Sequence, residues 1–220
     1  MRKLLILRPV PGASATAGRA RALGLDPIMC PLFAIEPVVW SPPDPARFDA
    51  LLVTSVNAVR HGGAGLAALA GLPVVAIGAA TADAAREAGF AVAAIGTAGV
   101  SELLDLLPGR QSLLHLAGED RARRTESRQS IETRTVYRAA PIADPRLPNL
   151  SGMAVAVHSP RAGARLADLA TARADTVIAA ISEAAASACG PGWQAVEWAA
   201  EPSDSALLVL AARLCQTPAR

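Results

Sequence analysis

At residues 50–57 the chain reads ALLVTSVN, and at residues 154–161 it reads AVAVHSPR. In both stretches a short apolar run is followed by a Thr-Ser or His-Ser pair and then by the start of a helix pattern. An apolar run without alternation is typical of a parallel strand that is covered on both faces. Ser55 and Ser159 are of a residue type that commonly caps helix N-termini. Each stretch therefore predicts a buried strand followed directly by a helix.

The two stretches belong to an internal repeat whose offset stays at 104 residues from Leu51 to about Leu107. Near its end, the sequence SELL at 101–104 aligns with SALL at 205–208. Each copy alternates short apolar runs with helix patterns, which favours parallel α/β layers. The repeat thus predicts two similar α/β units.

Two further pairs of strands complete these units. They are predicted at residues 3–7, 28–33, 112–116 and 133–137. A helix at residues 12–23 separates the first pair, and an Arg-rich helix near residues 120–131 separates the second. The result is two flavodoxin-like units of five strands each.

Composition excludes several classes of protein. The chain has 220 residues, of which 52% are hydrophobic and 18% are charged, so it is not disordered. A net charge of +2 does not favour nucleic-acid binding. Cys30, Cys189 and Cys215 form no CxxC pair and are expected to be reduced thiols. The uncharged stretch 61–82 is interrupted by glycines and Pro73, which excludes a membrane helix. We expect a soluble, cytoplasmic protein without nucleic-acid or membrane partners.

The carboxyl ends of the predicted strands are candidate anion sites. Ligands of open parallel sheets bind at these ends, and helix N-termini there offer unpaired backbone N–H groups and a favourable dipole. The residues concerned are Thr54, Ser55, Gly78, Ala80, Thr81, His158, Ser159, Ser182 and Ala184. Each turn alone is also what an ordinary capped strand-to-helix connection looks like. Four of them arranged as two pairs predict facing sites around one anionic ligand, and both interpretations stay open.

Cofactor and nucleophile motifs are missing from the sequence. It contains no GxGxxG, no GxxxxGK[ST] and no GxSxG. The three histidines lie too far apart for metal spacing: His61 is predicted at a helix end, His115 as a satisfied core residue, and only His158 at the edge of a site. An enzyme of this kind works by positioning and electrostatics, without cofactor or metal.

Residues 121–138 contain six arginines, and Tyr137 near their end is the only tyrosine of the chain. The arginines predict either a solvated helix face or a cationic rim over a polyanionic ligand. Tyr137 is either a half-buried strand residue or the one phenol available as a weak acid.

In these features the chain resembles the uroporphyrinogen-III synthase family. The matching pieces are LRP at 7–9, DALLVTSVNAV at 49–59, VAIG at 75–78, SELL at 101–104, VY at 136–137 and VHSP at 157–160. Each piece is short, and the resemblance rests on their order and spacing over nearly the whole chain.

The resemblance implies two α/β domains joined by a two-stranded β-ladder, with the chain crossing between the domains twice. One domain comprises residues 1–33 and 142–220, the other residues 41–133, and the ladder residues 34–40 and 134–141. Residues 3–7 are therefore expected to pair with residues 154–157 rather than with residues 50–53.

The resemblance also implies an activity. The substrate is hydroxymethylbilane, a linear tetrapyrrole polycarboxylate, which is cyclised with loss of water and inversion of ring D to uroporphyrinogen III by a monomer that needs no cofactor. Tyr137 assists departure of the ring A hydroxyl. Arg8, Asn57 and Ser101 join the strand-end residues as substrate contacts.

Two departures from the family pattern and two rival functions remain. Ala185 lacks a hydroxyl that many members carry, and residues 117–130 fit the family poorly. The main rival is a non-catalytic two-domain protein that binds a small polyanionic ligand. A nucleotide-dependent Rossmann enzyme is disfavoured because its phosphate fingerprint is absent.

Overall fold

The computed structural model describes residues 1–97, 99–120 and 127–216. The chain divides into two compact units. Unit 1 comprises Met1–Ala34 and Ala140–Arg220, and unit 2 comprises Ile35–Ala139. Each unit contains a predominantly parallel sheet with helices between its strands, which confirms the predicted α/β class.

Eleven strands are present in the described residues. In chain order they are β1 (Leu4–Ile6), β2 (Pro27–Met29), β3 (Phe33–Pro37), β4 (Ala50–Val53), β5 (Val74–Ile77), β6 (Val92–Gly96), β7 (Ser112–Gly118), β8 (Ser130–Pro141), β9 (Ala154–Val157), β10 (Val177–Ala180) and β11 (Ala195–Trp198).

Seven α-helices connect them within the same residues. They are α1 (Gly12–Ala22), α2 (Val56–His61), α3 (Ala79–Glu87), α4 (Val100–Leu106), α5 (Pro160–Leu169), α6 (Glu183–Ala188) and α7 (Asp204–Cys215), with short 3₁₀ turns at Pro45–Arg47 and Gly63–Leu69. None of these helices combines the length and the apolar character that crossing a membrane requires.

The sheet of unit 1 has the order β11-β10-β9-β1-β2, and all its strands are parallel. Numbered along the chain within this unit, that is the 2-1-3-4-5 order of flavodoxin-like folds. Leu5 is paired with Val155. The expected pairing of residues 3–7 with residues 154–157 is therefore confirmed.

The sheet of unit 2 has the order β3-β8-β7-β4-β5-β6. Its last five strands are parallel and repeat the arrangement of unit 1, with β7 and β8 in the places of β1 and β2. Strand β3 runs in the opposite direction to β8: the Val38 N–H donates to the Val136 carbonyl, and the Ile142 N–H donates to the Leu32 carbonyl. The sheet thus has six strands, where five were predicted.

The residues predicted as a separate ladder lie in β3 and β8. Strand β8 is 12 residues long and also pairs with β7, so the ladder is an extension of the edge of this sheet. The domain boundaries drawn around it stay a prediction. The predicted helix near residues 120–131 is wrong at its end, because β8 begins at Ser130; residues 121–126 of that helix lie outside the described residues.

Burial explains why the central strands are uniformly apolar. In β1, Leu4 and Ile6 pack with α1 and α7 in one core cluster, while Leu5 on the opposite face is equally buried. In unit 2, one face of β4 packs around Ala82 and Ala85 of α3, and the other face packs on α4. Helices therefore cover both faces of each sheet. The polar groups that remain exposed along the central strands lie at the ends of these strands.

Candidate functional site

In both sheets the strand order reverses at one place. This occurs between β1 and β9 in unit 1 and between β7 and β4 in unit 2. Ligands of open α/β sheets bind outside the carboxyl ends of the strands at such a point. Arg8 and His158 follow β1 and β9, while Thr54 follows β4 and Gly118 ends β7. Each unit therefore has a candidate site at its own switch point.

In unit 1 this place is occupied by a network around Asp204, the first residue of α7. Asp204 Oδ1 accepts hydrogen bonds from His158 Nε2 at 2.9 Å, Thr16 Oγ1 at 2.7 Å and an Arg8 guanidinium nitrogen at 3.2 Å. Its Oδ2 accepts from Arg19 Nε at 2.8 Å. One carboxylate thus joins β1, α1, β9 and α7.

The network is largely buried, and burial affects the pKa values of its titratable groups. The side chains of His158 and Asp204 are only 7% and 16% exposed. Burial lowers the pKa of His158, and its hydrogen bond to Asp204 opposes that change. For Asp204, burial acts to raise the pKa, but the hydrogen bonds from His158, Thr16 and Arg19 hold the pKa well below its usual value. At neutral pH a neutral imidazole and a carboxylate therefore face two guanidinium groups, Arg8 and Arg19.

All three helices that follow strands β9, β10 and β11 of unit 1 are capped by serine. Ser159 accepts from the Ala162 N–H at 3.2 Å, Ser182 from the Ala185 N–H at 3.3 Å, and Ser203 from the Ala206 N–H at 3.1 Å. The predicted cap at Ser159 is confirmed. Glu183 and Asp204 place acidic groups in the first turns of α6 and α7. In each cap the serine oxygen and the first-turn N–H group are thus hydrogen-bonded to each other. Ala184, in the first turn of α6, is nevertheless exposed.

In unit 2 only the first of the corresponding helices is capped by a side chain. Ser55 accepts from the Asn57 N–H at 3.2 Å, as predicted. Helices α3 and α4 begin after Gly78 and Gly99 without a side-chain cap. Gly78 has φ 80°, a left-handed conformation that favours glycine. The first-turn N–H groups of α3 are thus not capped by a side chain, and no acidic residue lies in that turn.

The predicted contacts on α3 and α4 have different exposures. Ala80 is exposed, whereas Thr81 is only 5% exposed. Ser101 is exposed in the first turn of α4, next to Glu102. At the start of α3 the backbone of Gly78 and Ala80 is therefore more accessible than the Thr81 side chain.

Two polar side chains lie at the β4 end of the switch point. Thr54 Oγ1 is 3.2 Å from His115 Nε2, so His115 is a satisfied residue as predicted. The Oδ1 atom of Asn57 is buried and has no hydrogen-bond partner within the part of the chain that the structure describes. Other protein atoms cover this oxygen, so a ligand N–H reaches it only after those atoms move aside.

Tyr137 lies on β8, half-buried, beside the end of β7. Its ring packs against the core of unit 2 and lies over Gly118. The ring of His61, the last residue of α2 as predicted, is 6.5 Å away between centroids at 41°.

The described arginines of residues 121–138 form hydrogen bonds or ion pairs with other residues of unit 2. Arg128 donates to the carbonyls of Asp105 and Leu107. Arg134 pairs with Glu132 at 2.5 Å, and Arg138 pairs with Glu36 at 3.1 Å. These contacts favour a structural role for the three. The other three, Arg121, Arg123 and Arg124, lie outside the described residues.

Sequence reasoning missed Thr16, Arg19, Asp204 and Gly118. Asp204 lies 196 residues from Arg8 and 188 from Thr16 along the chain, so no local pattern links them. The one available signal was Ser203-Asp204 at a predicted helix start, which is also an ordinary helix beginning.

The fold and the strand ends define a class: a protein of two α/β sheets with polar, anion-compatible switch points. A sequence model of the family described as "Uroporphyrinogen-III synthase HemD" matches residues 14–209. The chain therefore belongs to the uroporphyrinogen-III synthase family.

Solved structures show the same fold. The chain is similar to uroporphyrinogen-III synthetase from Helicobacter pylori, with 18% identity and a TM-score of 0.63 over 97% of this chain and 100% of that one. It is also similar to a mutant uroporphyrinogen III synthase from the extremely thermophilic bacterium Thermus thermophilus, with 21% identity and a TM-score of 0.51 over 98% and 100%. None of the curated proteins matches the sequence significantly.

Proposed function

We propose that this protein converts hydroxymethylbilane into uroporphyrinogen III, closing the macrocycle with loss of water and inversion of ring D. The observation that carries the proposal is the family match over residues 14–209. Polar residues at the switch points of both units support it, as does the α3 start that no side chain caps, because the substrate is a polycarboxylate.

Substrate carboxylates are held mainly by backbone N–H groups. In unit 2 the start of α3 around Gly78 and Ala80 supports this, since no side chain caps it. In unit 1 the groups are the α5 start at Ser159 and the guanidinium of Arg8. A charge-assisted hydrogen bond of this kind contributes about 1.5–3 kcal/mol. Ala184 contributes less than Ala80, because Ser182 and Glu183 already serve the α6 start.

The remaining contacts orient the pyrrole rings. Asn57 accepts from a pyrrole N–H through its Oδ1, which has no partner among the described residues, once the atoms that cover this oxygen move aside. Thr54, Ser55, Thr81, Ser101, His158 and Ser182 complete the proposed set. His158 acts chiefly by holding Asp204, since its Nε2–H is donated to that carboxylate.

Tyr137 assists the first chemical step. The C–O bond of the ring A hydroxymethyl group breaks, and the electron pair leaves with the oxygen. The phenol hydrogen-bonds the departing hydroxide, which becomes water by taking up the proton that the ring A pyrrole N–H releases. The ring A pyrrole nitrogen supplies electrons to give an azafulvene, which the substituted carbon of ring D attacks. The resulting spiro intermediate fragments and recloses with ring D inverted. The protein thus contributes by folding the substrate and stabilising charge.

Isomer analysis tests the proposal directly. Hydroxymethylbilane, made enzymatically, is supplied to the protein, and the uroporphyrinogen isomers are separated and quantified. We expect isomer III to dominate, whereas the control without protein yields the uninverted isomer. A protein that binds the bilane but leaves the product uninverted is the rival polyanion-binding protein.

The proposal includes a monomer that acts in the cytoplasm without cofactor, metal, nucleic-acid or membrane partner. Light scattering of the purified protein with and without hydroxymethylbilane tests the monomer. A mass twice that of the 22.5 kDa chain contradicts it.

A further inference from the structure

We propose that Gly118 is a positioning residue for the reaction: its lack of a side chain sets the place of the Tyr137 ring and hydroxyl. This inference rests on the proposed function, in which Tyr137 assists loss of the ring A hydroxyl. Gly118 itself touches neither substrate nor reacting atoms in this account.

The pairing of β7 with β8 brings the two residues side by side. Ala117 is paired with Thr135, but the next residue, Gly118, is paired with Tyr137 rather than with Val136. The Glu119 N–H then donates to the Tyr137 carbonyl at 2.9 Å. One extra residue in β8 thus forms a bulge, which is a device that re-aims a side chain.

The ring lies where a side chain at residue 118 would be. A Cβ added to Gly118 would be 2.7 Å from Tyr137 Cε2, 2.8 Å from Cζ and 3.0 Å from the hydroxyl oxygen. Carbon atoms that are not bonded lie about 3.5–4.0 Å apart at their optimum. Even one methyl group therefore displaces the ring together with its hydroxyl.

The core of unit 2 lies against one side of the ring. Val136, its neighbour on β8, is 0% exposed and belongs to the core cluster against which Tyr137 packs. His61 flanks the ring at a centroid distance of 6.5 Å. A side chain at residue 118 therefore changes the position of the phenol rather than being absorbed by the surroundings.

A small displacement matters because acid assistance requires hydrogen-bond reach. Misplacing a catalytic group by about 1 Å costs up to about a hundredfold in rate. Alanine at residue 118 adds one methyl group and neither charge nor hydrogen-bonding atoms, so it tests position alone.

The test is a double-mutant cycle on Gly118→Ala and Tyr137→Phe, with kcat and KM for isomer III formation. We expect Gly118→Ala to lower kcat about tenfold to a hundredfold with KM changed by less than about threefold. In the Tyr137→Phe background the same change should have no further effect on kcat. Gly71→Ala is the matched control, since an added Cβ there meets no atom within 4 Å; it should leave both constants unchanged.

A spectroscopic measurement reports the displacement independently of turnover. Tyr137 is the only tyrosine, so incorporation of 3-fluorotyrosine labels one residue for ¹⁹F NMR. Gly118→Ala should shift this resonance and Gly71→Ala should not. If Gly118→Ala fails to fold, the Gly118→Ala/Tyr137→Leu variant should fold, because the smaller side chain frees the space.

Several results overturn the inference. One is wild-type kcat in Gly118→Ala while Tyr137→Phe is slow, which leaves the proposed function intact. Another is an equal loss of kcat in the tyrosine and phenylalanine backgrounds, or an unshifted ¹⁹F resonance. A third applies if Gly118→Ala fails to fold: it is that the Gly118→Ala/Tyr137→Leu protein fails to fold as well. If the wild-type protein forms no isomer III, the proposed function fails, and this inference fails with it.

Discussion

The two halves of the repeat begin their helices in different ways. Three pairs of equivalent positions, 104 residues apart, precede helices: Ser55 and Ser159, Gly78 and Ser182, Gly99 and Ser203. Unit 1 has a capping serine at each, whereas unit 2 has glycine at two of the three. A serine cap gives a first-turn N–H a side-chain acceptor, and a glycine does not; in unit 2 the equivalent Thr81 N–H donates to the Gly78 carbonyl at 3.2 Å instead. Equivalent helix starts are thus capped by side chains in unit 1, and two of the three are not in unit 2.

The switch points of the two units differ in the same way as their helix starts: among the described residues, more polar side chains are bonded to one another in unit 1 than in unit 2. In unit 1, Asp204 binds Arg8 and His158 in a closed network. In unit 2, the buried Asn57 Oδ1 finds no partner among the residues that the structure describes, and Tyr137 is half-buried beside Gly118. We therefore expect substitutions in unit 1 to act mainly on the free energy of unfolding and those in unit 2 mainly on turnover.

The largest expected effect is on turnover in unit 2. Tyr137→Phe should lower the rate of isomer III formation by about tenfold to a thousandfold, because it removes a positioned proton donor. The free energy of unfolding should change little, and the product should remain inverted, since the other proposed contacts still fold the substrate. An unchanged kcat in a folded Tyr137→Phe protein leaves the residue a packing role only.

The corresponding change in unit 1 is Asp204→Ala. It leaves a buried imidazole and two guanidinium groups without their shared acceptor, which should cost about 2–4 kcal/mol in the free energy of unfolding. Urea denaturation at pH 7 measures it. Asp83→Ala, which breaks an exposed pair with Arg86 in unit 2, is the control and should cost less than about 1 kcal/mol. Equal losses for both variants contradict a special role for the unit 1 network.

The pH dependence of stability sharpens the comparison further. Because burial lowers the pKa of His158, the unfolded chain binds a proton below about pH 6.5 that the folded protein does not. The contribution of His158 to the free energy of unfolding is therefore largest above that pH. It falls as the pH decreases, by at most about 1.4 kcal/mol per pH unit for one proton. The lowered pKa of Asp204 adds a loss only at more acidic pH.

His158→Gln should flatten this slope between pH 7 and pH 5. Denaturation curves at several pH values in this range give the slope for both proteins. A wild-type slope that is unchanged in His158→Gln assigns the titration to other groups.

Changing one cap tests the serine–glycine difference itself. Ser182→Ala should cost about 1 kcal/mol in the free energy of unfolding, whereas Ser182→Gly should cost only a few tenths. Glycine is the residue that unit 2 carries at the equivalent position, Gly78. Hydrogen exchange of the α6 amides should increase in the alanine variant first. A glycine variant less stable than the alanine one contradicts this account of the caps.

The smallest expected effect is on substrate binding. Thr81→Ala in unit 2 and Ser159→Ala in unit 1 should each raise KM only a few-fold, because backbone N–H groups hold the carboxylates. Loss of all binding in either variant, with folding verified by circular dichroism, disproves the backbone account.

Local patterns predicted most of the secondary structure. The strands at 50–53 and 154–157 and the caps at Ser55 and Ser159 follow from residues adjacent in the chain, because burial on both faces and capping are local requirements. The helix predicted near residues 120–131 is wrong at its end, because β8 begins at Ser130 to pair with β7. Strand β3 was predicted as part of a separate ladder, but its place as a sixth strand of the unit 2 sheet was not predicted, since edge pairing depends on a distant partner.

Sequence alone thus determined two α/β repeats, the order of their elements and the polar character of the strand ends. Only the tertiary structure decided which ends meet. The bonds of Asp204 to Arg8 and Thr16, and the bulge that places Tyr137 over Gly118, join residues from different elements. The reason is physical: strand and helix formation respond to neighbouring residues, but a site forms where packing brings distant strand ends together.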